Sequence, residues 1–379
     1  MTSDQQSGPG FTGRYVAGLR FIESSLVANP ILVDPLAGKL AGSEGLELAQ
    51  RELEDLERDQ GPGRHLRVPA RTRLIDDLLD RELGPLVAAA PAGDGVAAQV
   101  VAFGAGMCTR AWRLRCLSRV SLLELDLPHM AALKRQLLEE AGAATTSSTT
   151  STTSTTALAA GDQQGATAAF PLLAARYACI GADLSAVGTD SEVDAATSPN
   201  AAAAAAGGAA AVAAALADAL KPHGFDPALP TVWVAEALLY YMPLPAAARL
   251  LAAAAALSAP GSRLVATVVD RELLEASRSR VDQGHVFKDL WFFDTEAMLY
   301  GPEGAAFQAA WAVDWRATSL KEQDGDTDRT LQGNASGSGG EARPLPPSTR
   351  QLAAARLGAD TYVALYGGAE LLFVAGLRS

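Results

Sequence analysis

The stretch VVAFGAGMCTRAWRL, Val100 to Leu114, sets two glycines directly after an apolar run and ahead of a segment with helical character. A short apolar run that stops at glycine reads as a buried strand, Gln99 to Phe103, and Arg110 to Leu117 reads as a short helix. Between them Gly104 and Gly106 allow positive φ and a close approach of backbone to a ligand. In doubly wound sheets ligands bind outside the carboxyl ends of the strands, which is where this turn falls. A G-x-G turn alone equally suits simple packing, so its meaning depends on what surrounds it.

Downstream, strand and helix patterns alternate. Val120 to Leu125 reads as a second strand, Pro128 to Ala141 as a helix with proline at its start, and Tyr177 to Ala182 as a third strand. An Ala-rich helix ends near Leu220, a strand follows at Thr231 to Ala235, a helix runs from about Pro245 to Leu257, and SRLVATVVD (262–270) supplies another buried strand. Strands separated by helices imply an α/β fold, a mostly parallel sheet with helices on both faces. Two late β-rich runs, DTYVALYG (360–367) and AELLFVAGL (369–377), read as an antiparallel hairpin. Ahead of the first strand, GRYVAGLRFIESSLVA (13–28) and RVPARTRLIDDLLDRELG (67–84) carry helix-spaced apolar residues and predict a helical cap beside the sheet.

Composition narrows the function. A chain of 379 residues with 49% hydrophobic residues can build a large core. A net charge of −12 argues against a surface made to neutralise nucleic-acid phosphates. The three cysteines and four histidines fall in no metal-ligand spacing, so no metal is expected, and the sparse cysteines suit a reducing compartment. The N-terminus shows no secretory pattern, and the apolar stretch LLAAAAALSAPG (250–261) is too short to span a bilayer. The expectation is a cytoplasmic protein without membrane partners. Low-complexity tracts at about 143–168, 188–211 and 321–350, one of them unbroken Ser and Thr from Thr145 to Thr156, read as insertions in one domain spanning 14–379 behind a flexible 1–13.

The second strand gives the glycine turn a partner. Asp126 ends the strand part of SLLELDLPHM (121–130), about 20 residues beyond the turn, where an acid at the next strand's tip reads ribose hydroxyls. Glu124 lies on the same strand but further from its end. Thr109 occupies the third glycine position of a dinucleotide fingerprint, and no Walker lysine is present. A ligand with ribose and adenine but no phosphate, such as S-adenosylmethionine, fits best; a nucleotide-dependent oxidoreductase is the competing class.

Five ordered segments, RVPARTRLIDDLL (67–79), QVVAFGAGMCTRAWRL (99–114), LLELDLPHMAALK (122–134), IGADL (180–184) and LPTVWVAEALLYYMP (229–243), resemble the leucine carboxyl methyltransferase family, including its bacterial S-adenosylmethionine-dependent branch. The opening GLRFIESSLVANPILVDPLAGKLAG (18–42) is similar to that branch, and the likeness runs from about Gly18 to Asp270. It implies a class I methyltransferase, with a Rossmann-like seven-stranded sheet whose last strand is antiparallel, and S-adenosyl-L-methionine as cofactor. Residue by residue, it implies that Arg71 pairs with the cofactor's carboxylate, with Arg73 as the nearby competitor. Gly104 and Gly106 would form the cofactor turn, Asp126 would hold the ribose, and Asp183 and Leu184 would flank the adenine. Glu236 would face the sulfonium from the reaction edge, and Arg20 would make a basic contact to the cofactor. Tyr240 and Tyr241 would line the acceptor pocket. Cys108 departs from the acid that the family commonly carries there.

The activity so implied is O-methylation of a carboxylate or hydroxyl, on a small molecule or, alternatively, on a protein C-terminal leucine. A catalytically silent cofactor-binding protein is a further alternative. A carboxylate acceptor is ionised near pH 7 and needs no base, whereas a hydroxyl would call on a base such as His129 or Asp183.

Overall fold

The computed structural model describes residues 9–26, 28–60, 63–93, 95–146, 168–184, 201–269, 271, 274–275, 291–314 and 370–377. Strand β1, Ala98–Phe103, is buried at every position. Its side chains alternate between two cores, as a period of two requires: Val100 and Ala102 enter one, Val101 and Phe103 the other. An apolar run without polar alternation is what a strand covered on both faces produces.

The remaining strands are β2 (Val120–Asp126), β3 (Arg176–Gly181), β4 (Thr231–Ala235), β5 (Arg263–Val269), β6 (Trp311–Asp314) and β7 (Glu370–Leu377). They form one seven-stranded sheet in the order β3-β2-β1-β4-β5-β7-β6. Neighbours from β3 to β5 pair in parallel, and β7 is antiparallel to both β5 and β6. This is the class I methyltransferase sheet. Its strand order reverses between β1 and β4, so the crevice that such a reversal opens lies beside the glycine turn.

Nine helices are described: α1 (Pro9–Leu26), α2 (Pro35–Gln60), α3 (Arg67–Ala89), α4 (Arg110–Arg113), α5 (Pro128–Glu140), α6 (Ala201–Leu220), α7 (Leu244–Ala256), α8 (Thr295–Tyr300) and α9 (Ala305–Ala310). Helices α3 and α5 share one core with the sheet, while α6, α7, α8 and α9 share the other. The N-terminal cap contains α2 in addition to the two helices read from the sequence, and α2 bends at Gly42, whose φ is +62°.

Of the expected terminal hairpin the second run is β7, antiparallel to both of its described neighbours. Described β7 is flanked by β5 and β6, so its second neighbour is WAVD (311–314). Residues 360–367 lie outside the described residues. Four residues are too few to signal a strand by periodicity; β6 is fixed instead by tertiary contacts, among them the Trp311 indole N–H donating to the Leu251 carbonyl at 2.7 Å.

The flanks of the Ser/Thr tract meet each other. Ala143 bridges Phe170, the Ala144 N–H donates to the Phe170 carbonyl at 2.9 Å, and the Ala169 N–H donates to the Gly142 carbonyl at 3.1 Å. Among the described residues no helix is long and apolar enough to cross a membrane, and no group of three or more His, Cys, Asp or Glu is placed to hold a metal.

Candidate functional site

At the exit of β1, Gly104 and Gly106 have φ of +57° and +49°, in the left-handed region that side chains with Cβ avoid. A Cβ on Gly104 would also stand 2.7 Å from Leu238 Cδ1. Asp126 fastens this turn to the end of β2: the Gly106 N–H donates to Oδ2 at 2.6 Å and the Leu127 N–H to Oδ1 at 2.7 Å. An ionised carboxylate has about four lone-pair sites, so two remain for hydroxyl donors.

Glu236 follows β4 directly, ahead of Ala237, a non-glycine residue with φ of +51°. Helix α3 supplies Arg71, whose Nε lies 3.1 Å from Oε1, and Thr72, whose hydroxyl lies 3.3 Å from the same oxygen. Helix α4 supplies Arg110, whose Nη2 lies 2.7 Å from Oε2. Burial works against the charge on Glu236, but the guanidiniums of Arg110 and Arg71 outweigh it and hold the carboxyl far below its usual range.

The ion pairs continue away from Glu236. Arg110 Nε lies 2.7 Å from Asp76 Oδ1, and Arg113 also pairs with Asp76. Arg113 Nε reaches Asp34 Oδ2 at 3.7 Å, and Arg20 Nε lies 3.0 Å from that same atom. Arg20 also donates to the Met107 carbonyl, and the Thr109 hydroxyl donates to Asp34 at 2.7 Å, which ties α1 to the glycine turn. Burial opposes the charge on Asp34 too, yet Arg20, Arg113 and the Thr109 hydroxyl lower its pKa. The chain alternates four guanidiniums with three carboxylates and so carries one excess positive charge.

One cavity of about 150 Å³ gathers most of the expected site. Arg20, Arg71, Gly104, Gly106, Asp126, Glu236 and Tyr241 line it, together with Thr12, Gly13 and Val16 of α1. Asp183, Leu184 and Tyr240 are not among its lining residues. Asp183 is exposed beyond β3, Leu184 is buried in the core shared with α6 and α7, and Tyr240 is buried against Val269 and Leu274. Arg73 turns outward to Asp77, and His129 is exposed away from the cavity.

Glu124 has another task. It lies on the face toward α5, where Lys134 Nζ approaches it at 2.6 Å and the Tyr177 hydroxyl donates to it at 2.7 Å. Cys108 lines the cavity and is buried beside Arg110, and burial pushes its thiol pKa up.

Asp34, Thr72, Asp76, Arg110 and Arg113 were not singled out from sequence. The signal for Asp76 is an acid inside the apolar period of α3, beside Ile75, Leu78 and Leu79. Together these groups offer what a zwitterionic amino-acid head requires: a guanidinium fork for its carboxylate and a carboxylate for its ammonium. The glycine turn and Asp126 offer close backbone and a hydroxyl acceptor alongside.

The family model for leucine carboxyl methyltransferase matches residues 14–255. The chain belongs to the leucine carboxyl methyltransferase family. That span holds β1 to β4, the whole ion-pair chain and every candidate residue from Arg20 to Tyr241. Relatives in Mycolicibacterium vanbaalenii and Mycobacterium ulcerans both carry the name "Putative S-adenosyl-L-methionine-dependent methyltransferase". The first is 27% identical over 334 residues, covering 85% of this chain and 88% of its own. The second is 30% identical over 275 residues, covering 69% of this chain and 64% of its own. A crystallised DUF574-family protein of Streptomyces avermitilis superposes with a TM-score of 0.46 at 10% identity, covering 96% of this chain and 97% of that one. For a leucine carboxyl methyltransferase family member the donor set fits S-adenosylmethionine, because the Cβ-free turn, Asp126 and the Arg71–Glu236 pair share one cavity.

Proposed function

We propose that this chain, an S-adenosylmethionine-dependent methyltransferase of the leucine carboxyl methyltransferase family, methylates oxygen on a small molecule, with a carboxylate as the favoured acceptor. The cofactor supplies a methyl group on a positively charged sulfur, and its transfer to a carboxylate forms one C–O bond, breaks one C–S bond and moves no proton. Asp126 holds ribose hydroxyls on the lone pairs its backbone donors leave open. Arg71 and Glu236 orient the two charged ends of the amino-acid head, and Arg20 fixes the turn through the Met107 carbonyl. Asp183 and Leu184 take the adenine at the end of β3, beside the tie in which the Ala182 N–H donates to the Asp126 carbonyl at 2.7 Å.

The observation that carries the choice of acceptor is the engagement of both carboxylates in the cavity wall. Glu236 is clamped by guanidiniums that depress its pKa, which makes it a poor proton acceptor, and Asp126 is committed to two backbone N–H donors beside the ribose position. An acceptor that arrives already ionised asks nothing of them. Such a site works by orientation and exclusion of water. The test is transfer of tritiated methyl from the cofactor into a metabolite extract. Label that is released by mild alkali as a methyl ester supports carboxyl methylation, and alkali-stable label on a hydroxyl overturns it. Label that migrates with protein identifies a C-terminal acceptor instead. Calorimetry that detects NAD but not S-adenosylmethionine would overturn the cofactor reading as well.

A further inference from the structure

Strand β4 leaves the sheet just before Glu236. Its ladder with β5 ends where Ala235 stands opposite Ala266, while β5 runs on against β7 as far as Val269. Glu236 and Ala237 therefore depart from an edge at which β5 is still held by β7. There a side chain takes over from the ladder: the Ala237 N–H donates to the Thr267 hydroxyl at 2.7 Å. Thr267 is fully buried and does not line the cavity, whereas Glu236, Ala237 and Leu238 all do. Ala237 is also the one non-glycine residue with positive φ among the described residues, at +51°. A residue with a Cβ persists in that region only where its surroundings hold it there, and such residues cluster at functional sites. The strain of a left-handed alanine and the return from one buried hydrogen bond are of similar size, so a single hydroxyl can decide the conformation.

Resting on the reading of this cavity as the S-adenosylmethionine site, we propose that Thr267 is a positioning residue for the cofactor's amino-acid head, acting through the left-handed turn at Ala237. On its N-terminal side this turn delivers Glu236 to Arg71, Thr72 and Arg110. On its C-terminal side it sets Leu238 over Gly104, where a Cβ would come within 2.7 Å of it. Without the hydroxyl, Ala237 returns to negative φ and the peptides on both sides turn with it. Glu236 then loses the direction in which it meets an ammonium. Asp126, fastened by the Gly106 and Leu127 N–H groups on the other side of β1, keeps its hold on the ribose. The contribution is one of orientation, and its loss falls on one end of the cofactor.

The test is calorimetry on the whole chain with S-adenosylhomocysteine, which carries the amino-acid head, and with methylthioadenosine, which has the ribose and adenine without it. Thr267→Val, alike in shape but without the hydroxyl, should weaken S-adenosylhomocysteine about tenfold and leave methylthioadenosine within about twofold. Thr267→Ser, which keeps the hydroxyl, should hold both ligands within about threefold of the unaltered chain. Adding Ala237→Gly to Thr267→Val should recover most of the lost affinity, because glycine takes the left-handed region without help. A residue that merely supports the fold would weaken both ligands alike and would not be rescued by glycine. Equal loss of the two ligands, an unchanged S-adenosylhomocysteine affinity in Thr267→Val, or no recovery with Ala237→Gly overturns the inference. If Thr267→Val fails to fold, Thr267→Ala carries the same comparison, and if methylthioadenosine binds the unaltered chain too weakly to measure, the glycine rescue decides. Absence of S-adenosylhomocysteine binding to the unaltered chain strikes the cofactor reading itself, whereas its presence without a selective loss in the variant strikes this inference alone.

Discussion

At the scale of single residues the site is held by carboxylates that serve as anchors. Asp126 joins two backbone donors to a ligand position, so Asp126→Ala removes a charged hydrogen-bond acceptor and should weaken S-adenosylmethionine by about 10- to 100-fold, as read by calorimetry. Gly104→Ala meets both a left-handed φ and Leu238, and should lower stability by about 1–2 kcal/mol in urea titration while blocking the cavity. Glu236 sets a pH dependence. Its pKa is depressed in the folded chain, so its contribution is complete above the unfolded carboxyl range, about pH 4.3, and is withdrawn as pH falls from there toward the lower folded value. The gap in melting temperature between the native chain and Glu236→Gln should therefore be widest at neutral pH and narrow below about pH 5 in melts taken stepwise downward. Asp126, Glu236 and the two glycines were legible because strand ends announce them. Asp34, Asp76 and Arg113 were not, because each becomes a site residue only when α1, α3 and α4 are brought together. Cys108, where the family commonly has an acid, also becomes intelligible. Arg110 is already paired with Asp76 and Glu236, and Lys134 with Glu124, so a buried neutral thiol adds no charge that these cations would have to balance.

At the scale of elements, β2 and α5 are joined by a buried ion pair that plays no part in the cavity. Lys134 and Glu124 are each 1% exposed, and Tyr177 of β3 shares the same carboxylate oxygen. Removing one partner from such a pair leaves an uncompensated buried charge, so Lys134→Ala should cost about 3–5 kcal/mol. The double change Lys134→Met with Glu124→Leu should recover most of that loss in urea titration, which distinguishes an ion pair kept for geometry from one that adds net stability. The sequence announced Glu124 only as an acid on the strand. The side chain alternates toward α5 with Leu122, and only the placement of that helix reveals its partner. Strands β1, β2, β4 and β5 were readable because burial on both faces leaves mostly apolar runs, and half-buried β3 at the sheet edge because a short apolar run survives in it, whereas β6 is four residues long and borrows its stability from α7 and β7.

At the scale of the whole molecule, the described flanks of the Ser/Thr tract are joined to each other at Ala143 and Phe170. Replacing residues 147–167 by a short Gly-Ser link should leave the melting temperature within about 2 °C, since loop-closure entropy changes only slowly with length. A larger drop would show that the tract contributes to packing. The parallel sheet, the cap and the cofactor edge were legible as a whole because strand–helix alternation leaves few topologies, while the partner of the last strand was not, since both neighbours of β7 come from far earlier in the chain. That placement has a consequence for how the protein is made. Because β6 reaches the sheet through β7, the segment from Trp311 to Asp314 has no docking edge among the described residues until 370–377 has arrived, whereas every residue that lines the cavity lies at or before Tyr241. A nascent chain therefore carries its whole cofactor half before the β7–β6 edge of the sheet can close.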